Sequence, residues 1–156
     1  MKFADFIGKK AILPVLKASD KKGAIQELVQ AARKSCEGER FVVADIVDAI
    51  MQREKIGSTG IGGGVGVPHA KLNGIKNVIG AFGRVAYPID FSAVDGEKVS
   101  LIFLILSPPA KGDEYLKALQ KVMLALKKPN FIRFLKGAKT GKEIEEIFRE
   151  AEEVAV

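Results

Sequence analysis

The sequence predicts an α/β fold, a mixed β-sheet flanked by helices on both faces in three α/β/α layers. Three observations lead there. Val99–Leu106 (VSLIFLIL) is apolar almost without a break, the pattern of a central strand covered on both faces. Val78–Ala86 (VIGAFGRVA) alternates and carries small residues, so it reads as a second strand. Amphipathic helical segments precede, separate and follow these strands, which calls for helices on either side of one sheet.

The elements follow in order. Phe3, Phe6 and Ile7 suit a short helical turn, and AILPVL (residues 11–16) an extended piece whose Pro14 points to a sheet edge. Ser19 or Asp20 can cap a helix running to about Cys36, with Ile25, Leu28, Val29 and Ala32 on one face. Gly38 closes it. A second helix covers about Val43 to Glu54, with Ile46, Val47, Ile50 and Met51 inward. A glycine-rich bend and a short strand, Val65–Val67, come next, and Pro68 fixes a backbone angle just before His69. Asp95-Gly96 marks a turn and Ser107–Gly112 a loop. Glu114 to about Lys127 reads as a helix with Leu116, Leu119, Val122, Met123 and Leu126 spaced for packing, and Pro129 ends it. Phe131–Leu135 forms a short helix. Thr140 caps the last one, whose inward residues are Ile144, Ile147 and Phe148.

The 156 residues fit one domain spanning 1–156. Apolar content of 47% and charged content of 28% are those of a water-soluble globular protein. The first residues hold no apolar segment of signal-peptide length, and the longest apolar run is far below the ~20 residues of a membrane helix. A cytoplasmic protein without membrane insertion is expected, and the single Cys36 suits a reducing compartment. The net charge of +6 raises nucleic acid as a partner. The lysines are scattered among acids, however, and no aromatic residues interleave with them, so no nucleic-acid partner is expected.

Thirteen residues, Gly57 to His69 (GSTGIGGGVGVPH), include six of the sixteen glycines and end at the only histidine. A dinucleotide fingerprint needs G-x-G-x-x-G, but starting from Gly60 or Gly62 the sixth residue is a valine. No G-x-x-x-x-G-K-[ST] occurs. A nucleophile elbow fails because Ile56 stands two residues before Ser58. One histidine and one distant cysteine make a poor metal site. What remains is a glycine-rich bend leading to an imidazole. Exposed amides of Gly60, Gly62 and Gly64 and the hydroxyls of Ser58 and Thr59 can face an anion, and Arg53 stands just upstream. Such a set can handle a phosphoryl group on a neutral imidazole. A plain turn beside an incidental histidine fits the same residues.

The stretch from Arg53 to His69, R-E-x-x-G-S-T-G-I-G-x-G-V-x-x-P-H, resembles the signature of the enzyme IIA domains of the bacterial phosphotransferase system. The similarity is to the fructose/mannitol type, which includes the nitrogen-regulatory enzyme IIA. The layout is similar too: an early helix pair, an apolar strand running into a loop with G-D-E, and a long helix. The resemblance implies an α/β fold and His69 as the phosphorylated residue. HPr or its nitrogen-branch counterpart would be the donor, Arg53 would neutralise phosphate charge, and Thr59 with nearby amides would orient ring or phosphate. No metal or organic cofactor is implied.

The sequence departs from that pattern at one place. Sugar-transport members carry a second histidine in G-D-E-H-L, and here Gly112–Leu116 reads G-D-E-Y-L, with Tyr115 at the matching position. A phenol donates a hydrogen bond but carries no positive charge at neutral pH. Phosphate acceptance at His69 is expected to survive this change, and onward transfer to an enzyme IIB to suffer. That tilts the expectation toward a nitrogen- or potassium-regulatory protein. A sugar-specific enzyme IIA, or an interaction module whose contacts with regulators are switched by phosphate, are the alternatives.

Overall fold

The computed structural model describes residues 1–36 and 38–152. A 3-10 turn at Phe3–Asp5 leads into strand β1 (Ile7–Leu16). Helices α1 (Lys21–Ser35) and α2 (Val43–Ile56) follow. Three short strands come next, β2 (Gly60–Gly62), β3 (Val65–Gly66) and β4 (His69–Lys71). Long strands β5 (Ile79–Ile89) and β6 (Val99–Ser107) form the centre. After a 3-10 turn at Pro109–Lys111 come α3 (Gly112–Leu126), α4 (Phe131–Gly137) and α5 (Gly141–Glu152).

The sheet runs β1-β5-β6-β3-β2, with β4 also pairing β6. It is mixed: β1 lies parallel to β5, β5 antiparallel to β6, and β3 and β4 both parallel to β6. β1 is an edge strand, so Pro14 sits where a missing N–H costs no ladder bond. β6 lies inside the sheet, and its apolar run is buried almost throughout. Phe82 and Phe103 face each other across β5 and β6 with ring centres 4.7 Å apart. Phe148 of α5 meets Phe82 edge-on at 5.3 Å, and Phe131 of α4 stacks near Phe103. The opposite face meets α1: a Cβ on Gly83 would stand 3.0 Å from Leu28. The three-layer arrangement is therefore as expected.

The caps also match. Asp20 accepts from Gly23 N at 2.8 Å, and Thr140 Oγ1 accepts from Glu143 N at 3.2 Å. Two expectations change. The glycine segment is a small antiparallel hairpin, β2 with β3, rather than an open bend, because Gly62, Gly63 and Gly64 all take positive φ and fold the chain back. α3 keeps part of the expected face, with Val122 buried and Leu119 and Leu126 packed against the core, but Leu116 and Met123 are not on it. Tyr115, Ala118, Val122 and Ala125 are buried, while Leu116 and Met123 are exposed. Two alanines let the helix axis approach β6 closely, which moves the larger side chains to the rim.

Candidate functional site

Pro68 divides the strand that runs beside β6. β3 pairs with Leu101 and Ile102, and β4 resumes at Ile105. Proline offers the ladder no N–H, but its carbonyl still accepts from Ile105 N at 3.0 Å. The chain re-enters the sheet at His69, opposite Ile105 near the C-terminal end of β6. Alternation puts His69 on the face of Ile105 and Phe103, toward α3. The side chain is half-buried. Its Nδ1 lies 2.7 Å from the Val67 carbonyl oxygen. A carbonyl only accepts, so Nδ1 carries the proton and the neutral ring keeps its lone pair on Nε2.

One ring meets this imidazole, and two cations lie near that ring. Tyr115, in the first turn of α3, has its ring centre 6.0 Å from that of His69. Burial pushes the Tyr115 phenol up to about 12, with the Arg53 guanidinium pulling partly the other way. The phenol is thus a protonated donor at neutral pH, and Arg53 lies within electrostatic reach of it. Arg53 projects from the last turn of α2 and donates from one guanidinium nitrogen to Gly57 O at 2.9 Å. Most of its five N–H groups remain for an anion. Lys71 follows His69 by two residues on the same face, and its Nζ stands 5.5 Å above the centre of the Tyr115 ring.

The other residues singled out in the sequence lie elsewhere or are occupied. Ser58 Oγ donates to Phe91 O and accepts from Gly60 N at 3.0 Å, so neither that hydroxyl nor that amide is turned to the imidazole. Gly62 pairs with Val65, and Gly64 O accepts from Ser100 N at 2.8 Å. Ser100 is five residues from Ile105, so this turn stands roughly 17 Å along β6 from the row of His69. The expected clearance and amide donors at the imidazole are therefore not what Gly62 and Gly64 supply. Their role is the hairpin turn, where Gly63 N donates to Asp95 Oδ2 at 3.2 Å. Thr59 is buried, with its hydroxyl and amide both given to Glu54.

Glu54 and Lys71 escaped the sequence reading. A signal for Glu54 existed: it continues the inward row Ile46–Ile50 at a spacing of four, and a carboxylate on a buried row demands partners. Lys71 gave no signal, since its neighbour Tyr115 is far off in sequence. Among the described residues no group of three or more His, Cys, Asp or Glu could hold a metal ion.

Fold and site together define a small α/β protein that presents one imidazole, its Nε2 without a hydrogen-bond partner among the described residues, beside a phenol that two cations approach. Residues 5–151 match the family model "Phosphoenolpyruvate-dependent sugar phosphotransferase system, EIIA 2", and the chain belongs to that family. A nitrogen regulatory protein of Bradyrhizobium diazoefficiens is 38% identical over 145 residues, 92% of this chain and 92% of that one. The fructose-specific EIIA component of the phosphotransferase system of Haloferax volcanii is 34% identical over 107 residues, 69% of this chain and 70% of that one. The crystal structure of nitrogen regulatory protein IIA-Ntr from Neisseria meningitidis superposes with a TM-score of 0.84 at 30% identity, covering 93% of this chain and 97% of that one. The sheet and helices described above are thus the IIA-Ntr fold. No helix among the described residues is long and apolar enough to cross a membrane.

Proposed function

We propose that this protein carries a phosphoryl group on Nε2 of His69, taken from the phosphohistidine of HPr or its nitrogen-branch counterpart, and that its output is regulatory. One observation carries the site assignment: the bond from Nδ1–H to Val67 O, which leaves Nε2 as the nucleophile. The lone pair of Nε2 attacks phosphorus in line. The P–N bond to the donor imidazole breaks, its electron pair returns to the donor nitrogen, and His69 keeps its Nδ1 proton. Such a transfer asks mainly for positioning and charge compensation. Arg53 supplies planar paired donors for phosphate oxygens, Lys71 a point charge, and Tyr115 a neutral hydrogen bond.

The regulatory reading rests on the nitrogen regulatory relative, which is similar over nearly the whole of both chains, and on Tyr115 in G-D-E-Y-L, where the resemblance implies histidine for sugar-type members. Nearly two negative charges arriving on His69 would change the docking face of α3 and β4. The fructose-specific relative keeps a second reading open, transfer onward to an enzyme IIB.

Incubation with phosphoenolpyruvate, enzyme I and an HPr-like protein, followed by intact mass, is expected to show one acid-labile phosphate, absent in His69→Ala. Equal uptake by that variant, or none by the native chain, overturns the assignment. Mixing the phosphorylated protein with an enzyme IIB separates the two outputs. Slow discharge, together with partner sets that differ between His69→Ala and His69→Asp, fits regulation; rapid discharge fits sugar transport.

A further inference from the structure

An ion pair joins α1 to the last turns of α2. Lys21 Nζ, from the first turn of α1, stands 2.6 Å from Glu54 Oε2, with the two side chains only 17% and 3% exposed. Buried charges are costly unless every polar atom is met, and here they are. Glu54 Oε2 also accepts from Thr59 N at 3.1 Å, and Oε1 accepts from Thr59 Oγ1. Lys21 Nζ additionally donates to Phe91 O at 3.3 Å and sits 4.8 Å above the Phe91 ring.

The hydrogen bonds continue from this pair to the site. Thr59, gripped at its amide and hydroxyl, offers its carbonyl to Val67 N at 2.9 Å. The Val67 carbonyl in turn receives the Nδ1 proton of His69 at 2.7 Å. A second branch holds the same peptide unit. Gly60 N donates to Ser58 Oγ, and Ser58 Oγ donates to Phe91 O, the acceptor that Lys21 also uses. The peptide joining Thr59 to Gly60 is therefore anchored on both sides by groups that converge on Lys21 and Glu54.

We propose that Lys21 and Glu54 are positioning residues for His69, holding through Thr59 and Val67 the carbonyl that determines which imidazole nitrogen is free. This rests on the carrier reading for its consequence but not for its geometry. Without the pair, Thr59 loses two of its anchors and the Val67 carbonyl can shift. Once that acceptor moves, the ring is free to exchange to the Nε2–H tautomer, whose nucleophilic nitrogen faces the wrong way. The alternative is that the pair merely fastens α1 to α2, in which case its loss lowers stability and leaves the imidazole alone.

The test uses the unphosphorylated full chain with 15N-labelled histidine, at a pH where the imidazole is neutral. The native protein is expected to show the Nδ1–H form. Glu54→Ala is expected to populate the Nε2–H form and to lose phosphorylation rate at limiting donor by about tenfold to a hundredfold, the scale that small misplacements carry. Lys21→Met/Glu54→Gln, a neutral pair whose amide still accepts from Thr59, is expected to recover the native tautomer and most of the rate. A folded Glu54→Ala with native tautomer and native rate overturns the proposal. Should that variant not fold, Thr59→Val removes the hydroxyl arm alone, and an unchanged tautomer and rate there overturn it equally. A native chain that takes no phosphate removes the carrier reading and leaves the tautomer result to stand.

Discussion

Tyr115 shows how one side chain couples the site to stability. The residue is buried as a whole, and burial holds its phenol up at about 12, while the unfolded chain titrates it near 10. A raised folded-state value makes the folded protein the tighter proton holder between those two values. Relative stability is thus full below about pH 10 and is lost as the pH climbs to about 12, by on the order of 2 kcal/mol. Urea unfolding followed across this window is expected to show that extra loss in the native chain and not in Tyr115→Phe. An identical pH profile for the two would mean the phenol is solvated. The same substitution removes the donor beside His69, so it is also expected to slow phosphate uptake without abolishing it.

At the scale of elements, the β2–β3 hairpin and β4 have separate duties. The hairpin turns on glycines in the left-handed region, among them Gly64 at φ 82°, where an added Cβ would meet Lys136 Nζ at 3.1 Å. Lysine can swing aside, so the cost of Gly64→Ala is chiefly backbone strain, about 1–2 kcal/mol. Its distance along β6 predicts a phosphorylation rate within about twofold of native, since no shared partner couples it to His69. Thermal melting and a donor assay on one preparation check both halves; a large rate loss would return the glycines to the site. The long, strongly periodic elements were legible in the sequence, as were Asp20, Thr140 and the edge position of Pro14. The face of α3 was legible only in part, at Leu119, Val122 and Leu126, because Ala118 and Ala125 reveal their importance only when β6 lies against them.

Across the whole molecule, five phenylalanines tie the two ends of the chain to the sheet. Phe3 stacks on Phe148 at 4.5 Å and lies near Phe131 and Phe103, and Phe82 closes the cluster. Phe103→Ala is expected to cost about 3–5 kcal/mol, a large share of what a domain of this kind holds. His69→Ala, at a half-buried position, should cost under about 1 kcal/mol. Denaturant unfolding of the two variants tests this separation of core from site, and comparable losses would contradict it.

The sequence by itself determined the fold class, the order of its main elements, the family signature and the imidazole at its end. Those properties follow from local periodicity, capping and a continuous run of residues, which the chain displays without folding. Only the tertiary structure decided which groups share the site. Tyr115 and Lys71 meet because α3 packs against β6 where β4 ends. Ser58, Thr59 and the glycines are engaged elsewhere because Glu54, Phe91 and Asp95 reach them first. Hydrogen-bond partners distant in sequence are chosen by packing, and so the free nitrogen of His69 became legible only once Val67 O was seen beside Nδ1.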